Sequence, residues 1–130
     1  MLTTEIRNLA DIAVARREAT TLAAHLGFRR SDQAKLAAAV SELAHDLLQN
    51  GDQASVSLRV IEGGTNSARG IEVQAQGHGP RTTAIARLAS DDSREGLPIG
   101  LRRASDLADQ FIAVSQPDAG MRVTVRKWPH

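Results

Sequence analysis

Ser41-Glu-Leu-Ala-His-Asp-Leu-Leu48 places two carboxylates, Glu42 and Asp46, four residues apart inside an otherwise apolar helical pattern. Residues at that spacing share a helix face. Leu36, Val40, Leu43, Ala44 and Leu47 form a stripe on one side, while Glu42, Asp46 and Gln49 fall together opposite it, flanked by Ser41 and His45. The segment reads as a helix that begins after Ser31, its N-cap, and ends at Asn50-Gly51. One face is built for a core and the other carries polar chemistry. Two like charges one turn apart cost a helix roughly 0.2–0.5 kcal/mol, so the acidic pair is either simply solvated or kept for something it binds.

Outward from this helix the periodicity alternates in a way that sets the fold class. Ile12, Ala15, Ala19, Leu22, Ala23 and Leu26 recur at three and four residues, which predicts an earlier amphipathic helix from about Asp11 to His25, closed by Gly27. From Ala54 the period becomes two: Val56, Leu58 and Val60, then Ile71, Val73 and Ala75 across Gly63-Gly64-Thr65-Asn66, predict a hairpin. Its second strand runs out into Gln76-Gly77-His78-Gly79-Pro80, where two glycines let the backbone turn tightly or approach a ligand. A polar, irregular stretch to about Glu95 has the length of a lid. A third helix is expected from about Pro98 to Asp109, with Pro98 suited to a first helical turn. Strands near Phe111–Ser115 and Met121–Lys127 complete the chain, joined by Pro117-Asp118-Ala119-Gly120. With a weak strand at the start, this order predicts a single α+β domain over residues 1–130, a two-layer α/β sandwich. Its sheet is mixed but mostly antiparallel and is covered on one face by helices.

Composition removes several function classes. Sixteen Lys and Arg against fifteen Asp and Glu give a formal charge of +1, so no global field draws the chain to nucleic acid or anionic lipid. Two Phe, one Trp and no Tyr leave almost nothing to stack on bases. Without cysteine there is no disulfide framework or thiol nucleophile. No apolar run approaches membrane-spanning length, and the first residues lack the pattern of a signal peptide, so a cytoplasmic protein is expected. His45 and His78 stand in no metal-ligand spacing, and surface histidines are the plainer reading.

The order of elements and three short motifs together resemble the GHKL ATPase superfamily, the histidine-kinase-like ATPases with the Bergerat fold. Within it the likeness is to the small serine kinases of the anti-sigma-factor type, especially RsbT-type switch kinases of stress signalling. It runs from Asp11-Ile-Ala-Val-Ala-Arg-Arg-Glu-Ala through Ser31-Asp-Gln and Ser41-Glu-Leu-Ala to Asp109-Gln-Phe111 and Lys127-Trp128. The family carries a Glu and, four residues on, an Asn. The resemblance therefore implies that Glu42 is a general base and that Asp46, at the Asn position, holds Mg²⁺ against the phosphates of ATP. Asp keeps an oxygen ligand, which Mg²⁺ favours, but adds negative charge beside a triphosphate when no metal is bound.

Two further motifs depart from the family pattern. The first glycine box, Asp-x-Gly-x-Gly, reads Ala75-Gln76-Gly77-His78-Gly79, which keeps the nucleotide-facing glycines and loses the Asp that accepts the adenine amino group. Losing such a charge-assisted bond costs about 1.5–3 kcal/mol, or roughly 10- to 100-fold in affinity. The second box aligns with Gly96-Leu97-Pro98-Ile99-Gly100-Leu101, where Pro98 replaces the middle glycine and removes one backbone donor to phosphate.

The resemblance implies a regulatory switch protein that binds a STAS-domain antagonist and phosphorylates it on Ser or Thr with ATP if the site works. A released form would act on a downstream signalling enzyme such as a phosphatase or a nucleotide cyclase. A non-catalytic docking module and an anti-sigma factor that captures a sigma factor directly are the competing readings, and a homodimer stays open. Arg102 and Arg103, near the expected lid, face phosphate, a partner's acidic surface or only solvent.

Overall fold

The computed structural model describes residues 1–49, 53–63, 68–78, 99–116 and 120–129. Strand β1 (Leu2–Ile6) leads into helices α1 (Leu9–His25) and α2 (Arg30–Gln49), then strands β2 (Gln53–Ile61) and β3 (Gly70–His78). Helix α3 (Ile99–Leu107) and strands β4 (Gln110–Gln116) and β5 (Gly120–Lys127) follow. The strand order is β1-β2-β3-β5-β4. Each neighbouring pair is antiparallel, so the sheet is antiparallel throughout its described residues rather than mixed. The expected irregular stretch, Gly79, Gly96 and most of the two hairpin turns lie outside the described residues.

Local signals account for the helix ends. The Asn8 side chain accepts the Asp11 N–H at 3.0 Å, which meets one of the orphan donors of α1, and the Asp11 carboxylate accepts the Arg7 N–H just before the cap at 2.8 Å. At its far end the Phe28 N–H reaches Ala23 C=O at 3.0 Å and the Gly27 N–H reaches Ala24 C=O at 3.1 Å. Those two bonds are a Schellman closure, and Gly27, at φ 81°, supplies the left-handed residue it requires. The chain then turns straight into α2. Ser31 is not the N-cap: the Gln33 N–H donates to Arg29 C=O at 2.9 Å and the Gln33 side chain to Phe28 C=O at 2.8 Å, which starts the helix earlier. Ser31 is left exposed inside the first turn.

Helix α2 is the hub, packing on α1, α3, β2 and β3. Leu36, Val40, Leu43, Ala44 and Leu47 are each at most 1% exposed. They meet the sheet's inner face, where Val56, Leu58, Ile71, Val73, Ala75, Met121, Val123 and Val125 alternate along the strands. At the start of α2, buried Asp32 sits 3.6 Å from Lys127 Nζ and 3.6 Å from Arg29 Nε, an acidic group in a first turn that also complements the helix dipole. Just past the same end of β5, the Trp128 N–H donates to the Asp109 carboxylate at 2.8 Å. The Trp128 ring lies so close to Gly70 that a Cβ there would stand 2.7 Å from it.

The opposite face of the sheet is polar, and its centre is Glu72, 1% exposed. Across β2 it accepts from Arg59 Nε at 2.7 Å, across β5 from Arg126 Nε at 2.9 Å, and along its own strand from Gln74 Nε2 at 3.1 Å. The register Arg59↔Glu72↔Arg126 makes one carboxylate the spacer between two guanidinium groups. The Arg59 hydrogen bond holds the Glu72 carboxyl below the usual carboxylate range; burial opposes this and Arg126 adds to it. A depressed folded-state value stabilises the fold above the unfolded value, about pH 4.3, and that contribution fades as pH falls through the folded value. Urea unfolding of Glu72→Gln should therefore give a lower midpoint than the parent at pH 7, with the gap narrowing below about pH 4. A gap that stays constant down to pH 3 would contradict the clamp.

Candidate functional site

The polar flank of α2 faces the start of α3, and that juxtaposition forms the site. Ser41, Glu42 and His45 from α2 and Arg103 from α3 line a concavity of about 300 Å³. Helical spacing brings the three α2 residues onto one flank, and packing of α3 against α2 delivers Arg103 from the other side. Glu42 Oε1 lies 3.7 Å from Arg103 Nη1, with side chains 31% and 61% exposed. A pair so wetted is held loosely, contributes at most about 1 kcal/mol, and leaves the Glu42 carboxylate accessible.

Asp46, one turn on, is placed differently. Its carboxyl packs on the backbone at Gly100, where an added Cβ would stand 2.8 Å from both Cγ and Oδ1. It also accepts the Leu101 backbone N–H, one of the donors a helix start leaves without an intrahelical partner. Burial pushes the Asp46 carboxyl above its ordinary value. The Leu101 hydrogen bond draws it down, nearby Glu42 pushes up again, and His45 lowers it. Gly100 and Leu101 are thus the floor and the anchor of the α2–α3 junction, and Leu101 is 1% exposed in the core.

The first glycine box is seen in part. Gly77 belongs to β3 itself, in register with Ala54 on one side and Met121 on the other, so the strand continues past the point where its sequence suggests a turn. Ala75 is 0% exposed, between Val56 and Val123 in the sheet. Gly79 and Gly96 lie outside the described residues. Among the described residues no group of three or more His, Asp or Glu side chains is gathered for a metal ion. No helix among them is long and apolar enough to cross a membrane. The Glu42–Arg103 and Asp46–Gly100 contacts join separate helices, so spacing within the sequence gives no sign of either.

Comparison of sequences finds similarity to a protein kinase. The chain is 28% identical over 120 residues to the serine/threonine-protein kinase RsbT of Bacillus subtilis (strain 168), a match covering 91% of this chain and 89% of that protein. No family model matches the chain. The similarity is distant but runs over most of the chain rather than one motif.

Because the Glu42–Arg103 pair is exposed, Arg103→Ala should shift the unfolding free energy by less than about 1 kcal/mol. A loss above about 2 kcal/mol in urea unfolding would mean that Arg103 carries structure rather than lining an open wall.

Proposed function

We propose that this chain is a partner-switching regulator of the RsbT kind, which engages a STAS-domain protein and phosphorylates it on Ser or Thr with ATP. The observation that carries this reading is the open position of Glu42 in a chain similar to a serine/threonine kinase over nine-tenths of its length. In the reaction, the Glu42 carboxylate accepts the proton of the partner's hydroxyl. That oxygen bonds to the γ-phosphorus of ATP, and the bond to the β-phosphate oxygen breaks with its electron pair leaving on ADP. Arg103 swings from Glu42 to meet negative charge, of phosphate or of the partner. Asp46 offers an oxygen donor for Mg²⁺, whose role would be to neutralise phosphoryl charge. Gly77, Gly79, Gly96, Gly100 and Leu101 are the backbone positions at which nucleotide would pass closest. Release from the STAS protein would free the switch for a downstream phosphatase or other signalling enzyme.

A second reading, a docking module without catalysis, is favoured by a specific observation. Ala75, at the position where the family pattern has the adenine-binding Asp, is sealed in the core, and Pro98 cannot donate to phosphate. The fold would then serve as the surface the STAS protein recognises.

Calorimetric titration with ATP and Mg²⁺ distinguishes the two. A kinase gives saturable heat, and Glu42→Gln abolishes transfer to the STAS protein while nucleotide affinity stays within about threefold, since a residue acting on the hydroxyl proton is not needed for binding ATP. No heat at millimolar nucleotide, with STAS binding intact, removes the kinase reading. Ala75→Asp separates them further. A weakened adenine pocket gains about 10-fold or more in ATP affinity, whereas a sealed one gains nothing and loses about 1–3 kcal/mol of stability to a buried carboxylate.

A further inference from the structure

The contact between Asp46 and the start of α3 has a consequence for ligand binding that the missing glycine and adenine acceptor do not supply. Asp46 projects from the last turn of α2, is half-buried, lies against Gly100 and accepts the Leu101 N–H. The first turn of α3 is the element whose backbone donors would face phosphate in the nucleotide reading above, on which this inference rests. In this structure one of those donors is already met, by a carboxylate covalently tied to the neighbouring helix. An incoming phosphoryl group meets a fixed negative charge beside the donors it would use. The absence of a side chain at Gly100 lets the carboxylate come that close: a methyl group there would overlap Cγ and Oδ1 at 2.8 Å.

The geometry points to Asp46 as an internal latch: it occupies the N-terminal turn of α3 as a built-in anion, fastens α3 to α2, and keeps the chain's affinity for nucleotide low. Gly100 is its seat. Asp46 acts here as a positioning residue, since it works through the placement and occupancy of the α3 turn. Asn at this position would keep an oxygen for the Leu101 N–H while removing the charge, so the latch is electrostatic more than steric. Glu42 and His45 act on the Asp46 carboxyl through charge, and Arg102 and Arg103 follow Leu101 on α3, while the Leu101 N–H is donated to Asp46.

The test uses the full chain and metal-free ATP in EDTA, so that like-charge repulsion is read without a metal to mask it. Asp46→Asn should bind ATP about tenfold or more tightly than the parent by calorimetry, with a smaller gain when Mg²⁺ is restored. If the parent binds ATP and Asp46→Asn binds equally or more weakly in EDTA, the latch is wrong while the nucleotide reading stands. If neither protein gives heat at millimolar ATP either in EDTA or with Mg²⁺, the nucleotide reading fails and takes the latch with it. A second measurement guards against a variant that merely unfolds. Gly100→Ala should lower the urea midpoint in the parent but have little effect in the Asp46→Ala background, because the methyl then has nothing to displace. Additive effects of the two substitutions would show that Asp46 does not sit on Gly100, and would overturn the latch.

Discussion

Everything in this molecule is referred to helix α2, whose buried stripe holds the two layers together. Leu36, Leu43 and Leu47 are each fully enclosed, and truncating any one of them in a packed core would cost about 2–5 kcal/mol, a large share of the stability of a domain this size. Because that stripe must face the sheet, the rotation of α2 is fixed. The residues opposite and beside it are then fixed too: Glu42 and Asp46 have no freedom to face elsewhere while Leu43 and Leu47 stay buried. The acidic flank is a geometric consequence of the core.

The two carboxylates share a helix face yet occupy unlike environments. Glu42 lines an open concavity with only a loose partner in Arg103, whereas Asp46 is drawn against Gly100 and the Leu101 N–H. One turn of helix changes the depth at which a side chain meets α3, so the outer carboxylate stays wet and the inner one is desolvated. Paired acids separated in this way are suited to different tasks, one exchanging protons or contacting a partner, the other organising backbone. Ala75 and Gly77 fit the fold independently of those two carboxylates. Ala75 completes the apolar inner face of β3, while Gly77 remains an ordinary strand residue between Ala54 and Met121.

The outer face of the sheet solves a separate problem. Arg59 and Arg126 approach from opposite neighbours of β3 and would repel each other across it, and Glu72, supported by Gln74, converts that repulsion into a three-strand clamp. At the end of the sheet, Asp32 with Lys127 and Asp109 with Trp128 tie the last strand to α2 and to the entry of β4. These polar contacts join strands and helices in layers that apolar burial holds together.

The two-layer α+β architecture, the order of elements and most of the core were legible in the sequence, because periods of 3.6 and 2 are imposed by burying one face of a helix or strand and are written locally. The stripe of α2, the alternation of Val56, Leu58, Ile71, Val73 and Ala75, with Val60 alone of that set left exposed, and the closing role of Gly27 are all of that kind. The acidic flank was legible as a pattern, and its likeness to kinase motifs named a chemistry for it. Tertiary structure alone decided the rest. Whether Ser31 caps α2, whether Gly77 turns or stays in β3, which carboxylate remains open, what Arg103 meets and why Gly100 bears no side chain all depend on groups far apart in the chain. No spacing rule records such contacts, since the distance between those groups is set by how the helices and sheet pack, not by the residues that separate them.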